Sequence, residues 1–458
     1  MPRMESRVLL PTFLVILFYL MTVAIISATW TPTTRGDSAL VLEDPERAYI
    51  AGAAFTGGPV GVFTVNNTAN IIGSGWNLSL SPLRALTACE LGYWDQIVVA
   101  GVQGTDRIVS LTSRDGEVRG FNFSTPAAPR RCSSSGDYVA VLFTDPVASN
   151  YLLLYDVESD AAVLVKLPRG VQMPSGVAVN SGGQVVIVGT GYYALIQVDW
   201  ASGDAAFKAY NVTVSGSPVR LRGALFTSEG GLVLYGSAFL ETDGGVRERA
   251  VIMLPDGDWL AIYRGKAASR VRGLVEPYPG VLRAMVEIVG KETDILDLTV
   301  EGAPKGNTVI SAMAPYSLRA SGTAANGTLW VFGNFYLSEK TSEGRKTETL
   351  GVLHIIRSST PYQIGSGLDY TLVMIKAGRP LEFLHPNITV RVVEDSRLSY
   401  TTFKPHTLSL NVTSSTLNYR VYGIFVDRTL LACALSAVLA LLYAPLAEAV
   451  YKWNRQGV

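Results

Sequence analysis

Histidine and cysteine are both scarce: the 458 residues hold His354, His385 and His406 and only Cys89, Cys132 and Cys433. No CxxC pair, HExxH helix, G-x-S-x-G elbow or P-loop occurs, so the usual zinc, acyl-transfer and phosphate-cradle signatures are missing. His354 sits in the apolar run GVLHII and reads as a core residue. Charge of one sign is missing too. With 38 Lys+Arg against 38 Asp+Glu the formal net charge is zero, which excludes the basic footprint of a nucleic-acid binder. Only 17% of residues are charged while 48% are hydrophobic, which excludes a disordered chain. The mean hydropathy of +0.26 is high for a chain that meets water alone.

That excess has a source. Val8 to Thr29 carries no charged side chain and would make a helix of about 33 Å, enough to cross a bilayer. A second apolar run spans Thr429 to Leu446. Arg3 and Arg7 precede the first, and Lys452 and Arg455 follow the second. The positive-inside rule then puts both termini in the cytoplasm and the intervening chain outside. The expected organisation is a cytoplasmic tail (1–7), a transmembrane helix (8–29), an ectodomain (30–365), a further β region (366–425), a second helix (429–447) and a tail (448–458). A cleaved leader ending at Ile26-Ser27-Ala28 is the competing reading of the first segment, although the apolar run is longer than a signal core. Ala432, Ser436, Ala440 and Ala444 form a small-residue stripe suited to packing against the other helix. Plasma membrane, with lipid as the partner of two helices, is the expected location.

Seven N-x-S/T sequons, at Asn66, Asn77, Asn122, Asn211, Asn326, Asn387 and Asn411, all fall between the apolar segments and none in the tails. Cys89 and Cys132 are the two cysteines outside the membrane runs, and an outside compartment makes them a disulfide candidate. Two separate buried thiols are the alternative.

The strongest pattern is a repeat. Apolar runs begin at Tyr49, Ile97, Tyr138, Val185, Leu232, Val281 and Leu329, spaced by 48, 41, 47, 47, 49 and 48 residues. A second run follows in most units (GVFTV, RIVSLT, YLLLYDV, ALIQVD, AVIMLP), then an Asp/Gly/Ser turn such as Asp115-Gly116-Glu117 or Asp256-Gly257-Asp258, then a mixed run. These are antiparallel strands joined by tight hairpins. The apolar first run of each unit reads as an inner strand covered on both faces, and the charged later runs as perimeter. One such sheet cannot bury both faces alone; stacking units radially at a period of about 40–50 residues does it.

The pattern resembles the β-propeller superfamily, with units similar to quinoprotein-like and YVTN-type repeats, over roughly residues 48–365. The WD dipeptide and paired kelch glycines do not recur, so no subfamily is implied. The resemblance implies an all-β ectodomain of seven blades, or eight if 366–425 forms the last one; a small membrane-proximal module is the other option for that stretch. Ser38 to Leu42 is expected to complete the last blade, which brings the two chain ends together. Charged insertions, GGVRER and EKTSEGRKTET, are expected as protruding hairpins on one face.

No catalytic residue set, metal ligand set or cofactor site emerges. The carboxylates of Asp115/Glu117 and Asp256/Asp258 are explained by turn chemistry, Asp294/Asp297 read as solvated, and Ser133-Ser134-Ser135-Gly136 reads as a loop. Trp76, Trp94, Trp200, Trp259 and Trp330 fit blade packing better than a sugar site. The expected role is a glycosylated surface scaffold that binds a protein or glycan on a propeller face. A tunnel enzyme of the quinoprotein-like dehydrogenase, lyase or glycan hydrolase kind is the alternative, favoured if carboxylates, Arg or Tyr converge at the tunnel mouth.

Overall fold

Valine, isoleucine and leucine runs of six to eight residues, separated by turns whose glycines take positive φ (Gly104, Gly116, Gly203, Gly257), leave the backbone one economical solution, the antiparallel meander. The computed structural model describes, with side chains, residues 60–298 apart from short stretches, and residues 388–415. Beyond these it describes only the backbone of further strands between Ser38 and Gly423. Both apolar end segments, with Ala432, Ser436, Ala440 and Ala444, lie outside the described residues, as do Asn326 and Asn387. Among the described residues no helix is long and apolar enough to cross a membrane.

Four-stranded meanders follow one another along the chain. The first comprises Ala48–Ala54, Val60–Val65, Thr68–Gly73 and Trp76–Ser81. The second is Arg84–Leu91, Gln96–Gln103, Asp106–Ser113 and Val118–Phe123; the third is Ala128–Ser135, Tyr138–Thr144, Tyr151–Asp156 and Ala161–Lys166. The fourth is Gly176–Val179, Gln184–Gly189, Tyr192–Asp199 and Asp204–Val214; the fifth is Arg220–Phe226, Leu232–Thr242, Gly245–Met253 and Leu260–Tyr263. The sixth is Ser269–Tyr278, Val281–Ile288, Thr293–Thr299 and Thr308–Ala312. The seventh takes three strands from 316–356 and its fourth from the far end of the chain: Ser38–Leu42 pairs antiparallel with Gly344–Ile356. The first strand of each meander packs against the first strand of the next, and that of the seventh returns to that of the first. The fold is all-β and propeller-like.

Apolar clusters lie between successive meanders. Leu142, Leu154 and Val163 of the third meet Val185, Ile196 and Phe207 of the fourth in one cluster, all of them buried. Phe121 and Phe123 of the second likewise meet Val141, Phe143 and Tyr155 of the third. Each buried side chain of this size contributes about 1.5–3 kcal/mol, and none could be buried by its own sheet alone.

The structure corrects the assignment of layers. The nearly all-apolar runs at Ile97, Tyr138, Val185, Leu232, Val281 and Leu329 are second strands, not innermost ones. The innermost strands are the mixed stretches before them, such as APRRCSSS and RLRGALF. The physical reason is that a second strand is covered on both faces and paired on both edges, so it must be apolar. A first strand keeps one edge free and tolerates Arg, Ser and Gly. Ser133 to Ser135, read as loop, therefore belong to the first strand of the third meander.

The described strands of 366–425 form neither a four-stranded meander of their own nor a separate module. Their strands are dealt out to the outer edges of the existing sheets. Tyr370–Ala377 pairs with the sixth meander and Leu381–Leu384 with the fifth. Ile388–Phe403 pairs with the fourth over its first part and the third over its last residues. His406–Thr407 and Asn411–Thr413 pair with the second and first, and Tyr419–Gly423 pairs with Ser38–Leu42 in the seventh. The segment is a belt round the rim that runs opposite to the order of the meanders.

Candidate functional site

The first strands share a second irregularity. Their pairing with the second strands skips one residue, a β-bulge, at Ala51, Leu86, Arg130, Arg222, Arg272 and Arg319. A bulge adds twist and re-aims a side chain. Gly236, opposite the bulge at Arg222, has no room for a side chain: a Cβ there would run into the Arg220 carbonyl. The fourth meander shows no such shift between its first two strands.

Neighbouring first strands are stitched by polar contacts that repeat at the period of the chain. Cys89 and Cys132 form a disulfide with Cα atoms 5.5 Å apart, a separation ordinary for the bond, and tie the second meander to the third. Ser134 Oγ donates to the Glu90 carbonyl across the same seam. Between the third and fourth, Arg131 Nε donates to Ser175 O at 2.9 Å and Val179 N donates to Ser133 Oγ at 3.3 Å. Ser175 Oγ carries the chain of contacts to the fifth meander, donating to Leu221 O at 2.6 Å.

At the seam between the fifth and sixth meanders the contacts become ionic. Glu248 is buried on the third strand of the fifth meander. Its carboxylate accepts from Ser237 Oγ at 2.7 Å and from Arg270 Nε and Nη2 at 2.8 and 2.7 Å. Burial would raise the Glu248 carboxyl, but the bonds from Arg270 and Ser237 outweigh it and hold it below the ordinary glutamate range. Arg272 places Nε 2.5 Å from Glu287 Oε2. Beside these pairs stands Arg222, whose Nε is buried and meets no hydrogen-bond partner among the described residues. Burial first, then the charges of Arg272 and Arg270, push its guanidinium below the ordinary arginine range. Arg220 on the same strand lies 4.7 Å from the ring centre of Phe239, within cation–π distance. Arg270 thus reaches across the seam to Glu248, Arg272 holds Glu287 within the sixth meander, and Arg222 lies close to both pairs.

The GGVRER stretch was expected to protrude, and it does so only in part. Val246 is exposed, whereas Glu248 and Arg249 are buried within the seam. Residues expected to be chemically silent stay in turns: Asp115 accepts from Ser113 Oγ, and Gly116 and Gly257 hold the positive φ their hairpins need. Among the described residues no group of His, Cys, Asp and Glu could hold a metal ion. Trp200 is partly exposed in a hairpin turn; Asp258 and the side chains of Asp294, Asp297, Trp76, Trp94, Trp259 and Trp330 lie outside the described residues. His354 falls opposite Ala39 in the seventh meander's register.

Five sequon asparagines are described. Asn66 lies in a hairpin turn, and Asn122, Asn211 and Asn411 on outer strands; all four are exposed. Asn77 is half-buried and its amide nitrogen donates to Ser415 O at 3.4 Å.

A cleft of about 480 Å³ opens between the fourth and fifth meanders under the belt. Tyr193, Tyr210, Phe226, Asp256, Val390 and Val392 line it, with the two tyrosine rings stacked 4.6 Å apart. Sequence reasoning missed both the cleft and the ionic seam. The doublet Arg220-Leu221-Arg222-Gly223 and Arg270-Val271-Arg272-Gly273, one period apart, was the available signal for the seam.

No protein-family model matches the chain, and no curated protein matches it. Solved structures similar to it include Kuenenia stuttgartiensis hydrazine synthase, at 11% identity and a TM-score of 0.26, covering 52% of this chain and 89% of that one. Another is the exo-β-1,3-galactanase of Phanerochaete chrysosporium with galactose, at 10% identity and a TM-score of 0.15, covering 80% of this chain and 95% of that one. Likenesses this distant have no bearing on chemistry, and the propeller-like arrangement stands on the strand pairing itself.

Proposed function

We propose that this chain is a membrane-anchored, N-glycosylated β-propeller of seven blades, a binding or scaffold component of the cell envelope or of a membrane complex. Each meander is one blade, and the first strands surround the central tunnel. The observation that carries the reading is the pairing of Ser38–Leu42 with Tyr419–Gly423, in which Ser38 stands opposite Gly423. Antiparallel partners lie about 5 Å apart, so the chain enters and leaves the rim at one point. The apolar segments 8–29 and 429–446 would then descend together from that point, and the small-residue stripe has a partner at hand.

Two further features support binding over catalysis. The belt adds strands of its own at the ends of the sheets, and such end strands offer backbone groups that a partner's strand can join. The Glu248 carboxylate is held by Arg270 and kept below the ordinary glutamate range, the opposite of what a general acid requires. Purification of the full chain from membranes in mild detergent should bring a second envelope component with it. Glycosidase treatment should shift its mass, with Asn66, Asn122, Asn211 and Asn411 modified ahead of Asn77. A chain released from membranes by alkaline carbonate would refute the anchoring. Turnover of a sugar or redox substrate by a chain that captures no partner would refute the scaffold role.

A further inference from the structure

We propose that Arg222 binds a carboxylate of a ligand, an acidic sugar or an acidic peptide group, at the seam between the fifth and sixth meanders. The surrounding residues show how this seam holds carboxylates. Arg270 grips Glu248 through the Nε–Nη2 edge of its guanidinium, and Arg272 grips Glu287 through the same edge. The corresponding Nε of Arg222 is buried and meets no acceptor among the described residues. The planar fork of arginine matches a carboxylate with two parallel bonds, which a lysine cannot reproduce.

Position supports the assignment independently. Arg222 and Arg272 are the bulged residues of consecutive first strands, and Arg130 and Arg319 hold the same register place in two others. Bulges turn side chains out of the regular pleat. Arginine thus recurs at the bulged position of four first strands in a chain whose net charge is zero. Nothing in packing calls for it, since the bulges at Ala51 and Leu86 form without an arginine. Arg222 is desolvated and stands beside Arg272 and Arg270, whose like charges oppose its own, while Glu248 and Glu287, which favour its charge, are already held by those two arginines. A residue that the fold would do better without, and that lacks a partner for a buried donor, fits a ligand-binding role.

The proposal rests on the propeller reading only for access from the axis, and its test does not depend on the membrane. Thermal unfolding of the full chain in detergent is followed with sodium glucuronate, with glucose and with inorganic phosphate, at matched ionic strength. Glucuronate should raise the Tm and glucose should not. Arg222→Met should unfold at a higher temperature than the native chain without added anion, and its Tm should no longer respond to glucuronate. Arg222→Lys should weaken the response about tenfold or more, the equivalent of one charge-assisted bond. A lower Tm for Arg222→Met in anion-free buffer would mean that Arg222 is a structural residue, and would overturn the site. Retention of the glucuronate response in that variant would overturn it as well. A larger response to phosphate than to glucuronate would overturn the choice of carboxylate. A chain that responds as expected but does not fractionate with membranes would keep the site and lose the anchoring.

Discussion

The seam between the third and fourth meanders and the seam between the fifth and sixth solve one geometric problem in two ways. Both place a sheet against its neighbour. The former is filled by aliphatic and aromatic side chains, Leu142, Leu154, Ile187, Ile196 and Phe207 among them. The latter keeps an apolar middle of Val233, Ile252, Val271, Leu282 and Val286 but adds the Glu248–Arg270 and Arg272–Glu287 pairs. Desolvating charge is expensive, and apolar residues of similar volume do as well or better for stability. The difference therefore teaches that the fifth and sixth meanders retain charge where the fold does not ask for it.

The comparison can be broken or sharpened by substitution, with urea unfolding as the measure. Phe207→Ala, in the apolar seam, should lose about 4–5 kcal/mol through transfer and cavity terms, and the loss should not vary with pH. Replacing Cys89 and Cys132 by serine should cost about 4 kcal/mol by the chain-entropy relation for a separation of 43 residues, without altering the ionic seam. Glu248→Gln should cost about 3 kcal/mol because it leaves Arg270 without its partner, while replacing both by leucine should recover most of that.

The ionic seam also carries a pH signature. The Glu248 carboxyl is held below its unfolded value, so its contribution is fully present above the ordinary glutamate range. It is lost as pH falls through the lower, folded value. The native chain should accordingly lose stability with acid more steeply than the double-leucine variant does. The smallest effect is expected at the belt: Tyr400→Phe removes the bond to Asp199 O at 2.8 Å and should cost about 1 kcal/mol. A loss several times larger would mean that the belt holds the third and fourth meanders together.

Legibility followed burial. Runs such as YVAVLFT and VVIVG were visible because second strands must be apolar on both faces. Apart from the apolar run at Tyr49, which is the first strand of the first meander, the first strands were invisible for the complementary reason: RLRGALF carries two arginines and a glycine on a strand with one free edge. Since the ionic seam is built on those strands, it was hidden with them. The belt was hidden by distance, because Ile388–Phe403 finds its partners in Asp204–Val214 and Ala161–Lys166. No local pattern encodes a pairing across that many residues.

The sequence by itself determined the strand content, the period of the units, the short closing strand at Ser38–Leu42 and the availability of Cys89 and Cys132 for each other. These follow from side-chain alternation and turn chemistry, which act over a few residues, repeated many times. Only the tertiary structure decided which strand of each unit lies innermost, where the chain beyond the last unit goes, and which arginines meet carboxylates. Those outcomes depend on which edges and faces remain uncovered once the sheets have packed, and that is a property of the assembled ring of strands rather than of any stretch within it.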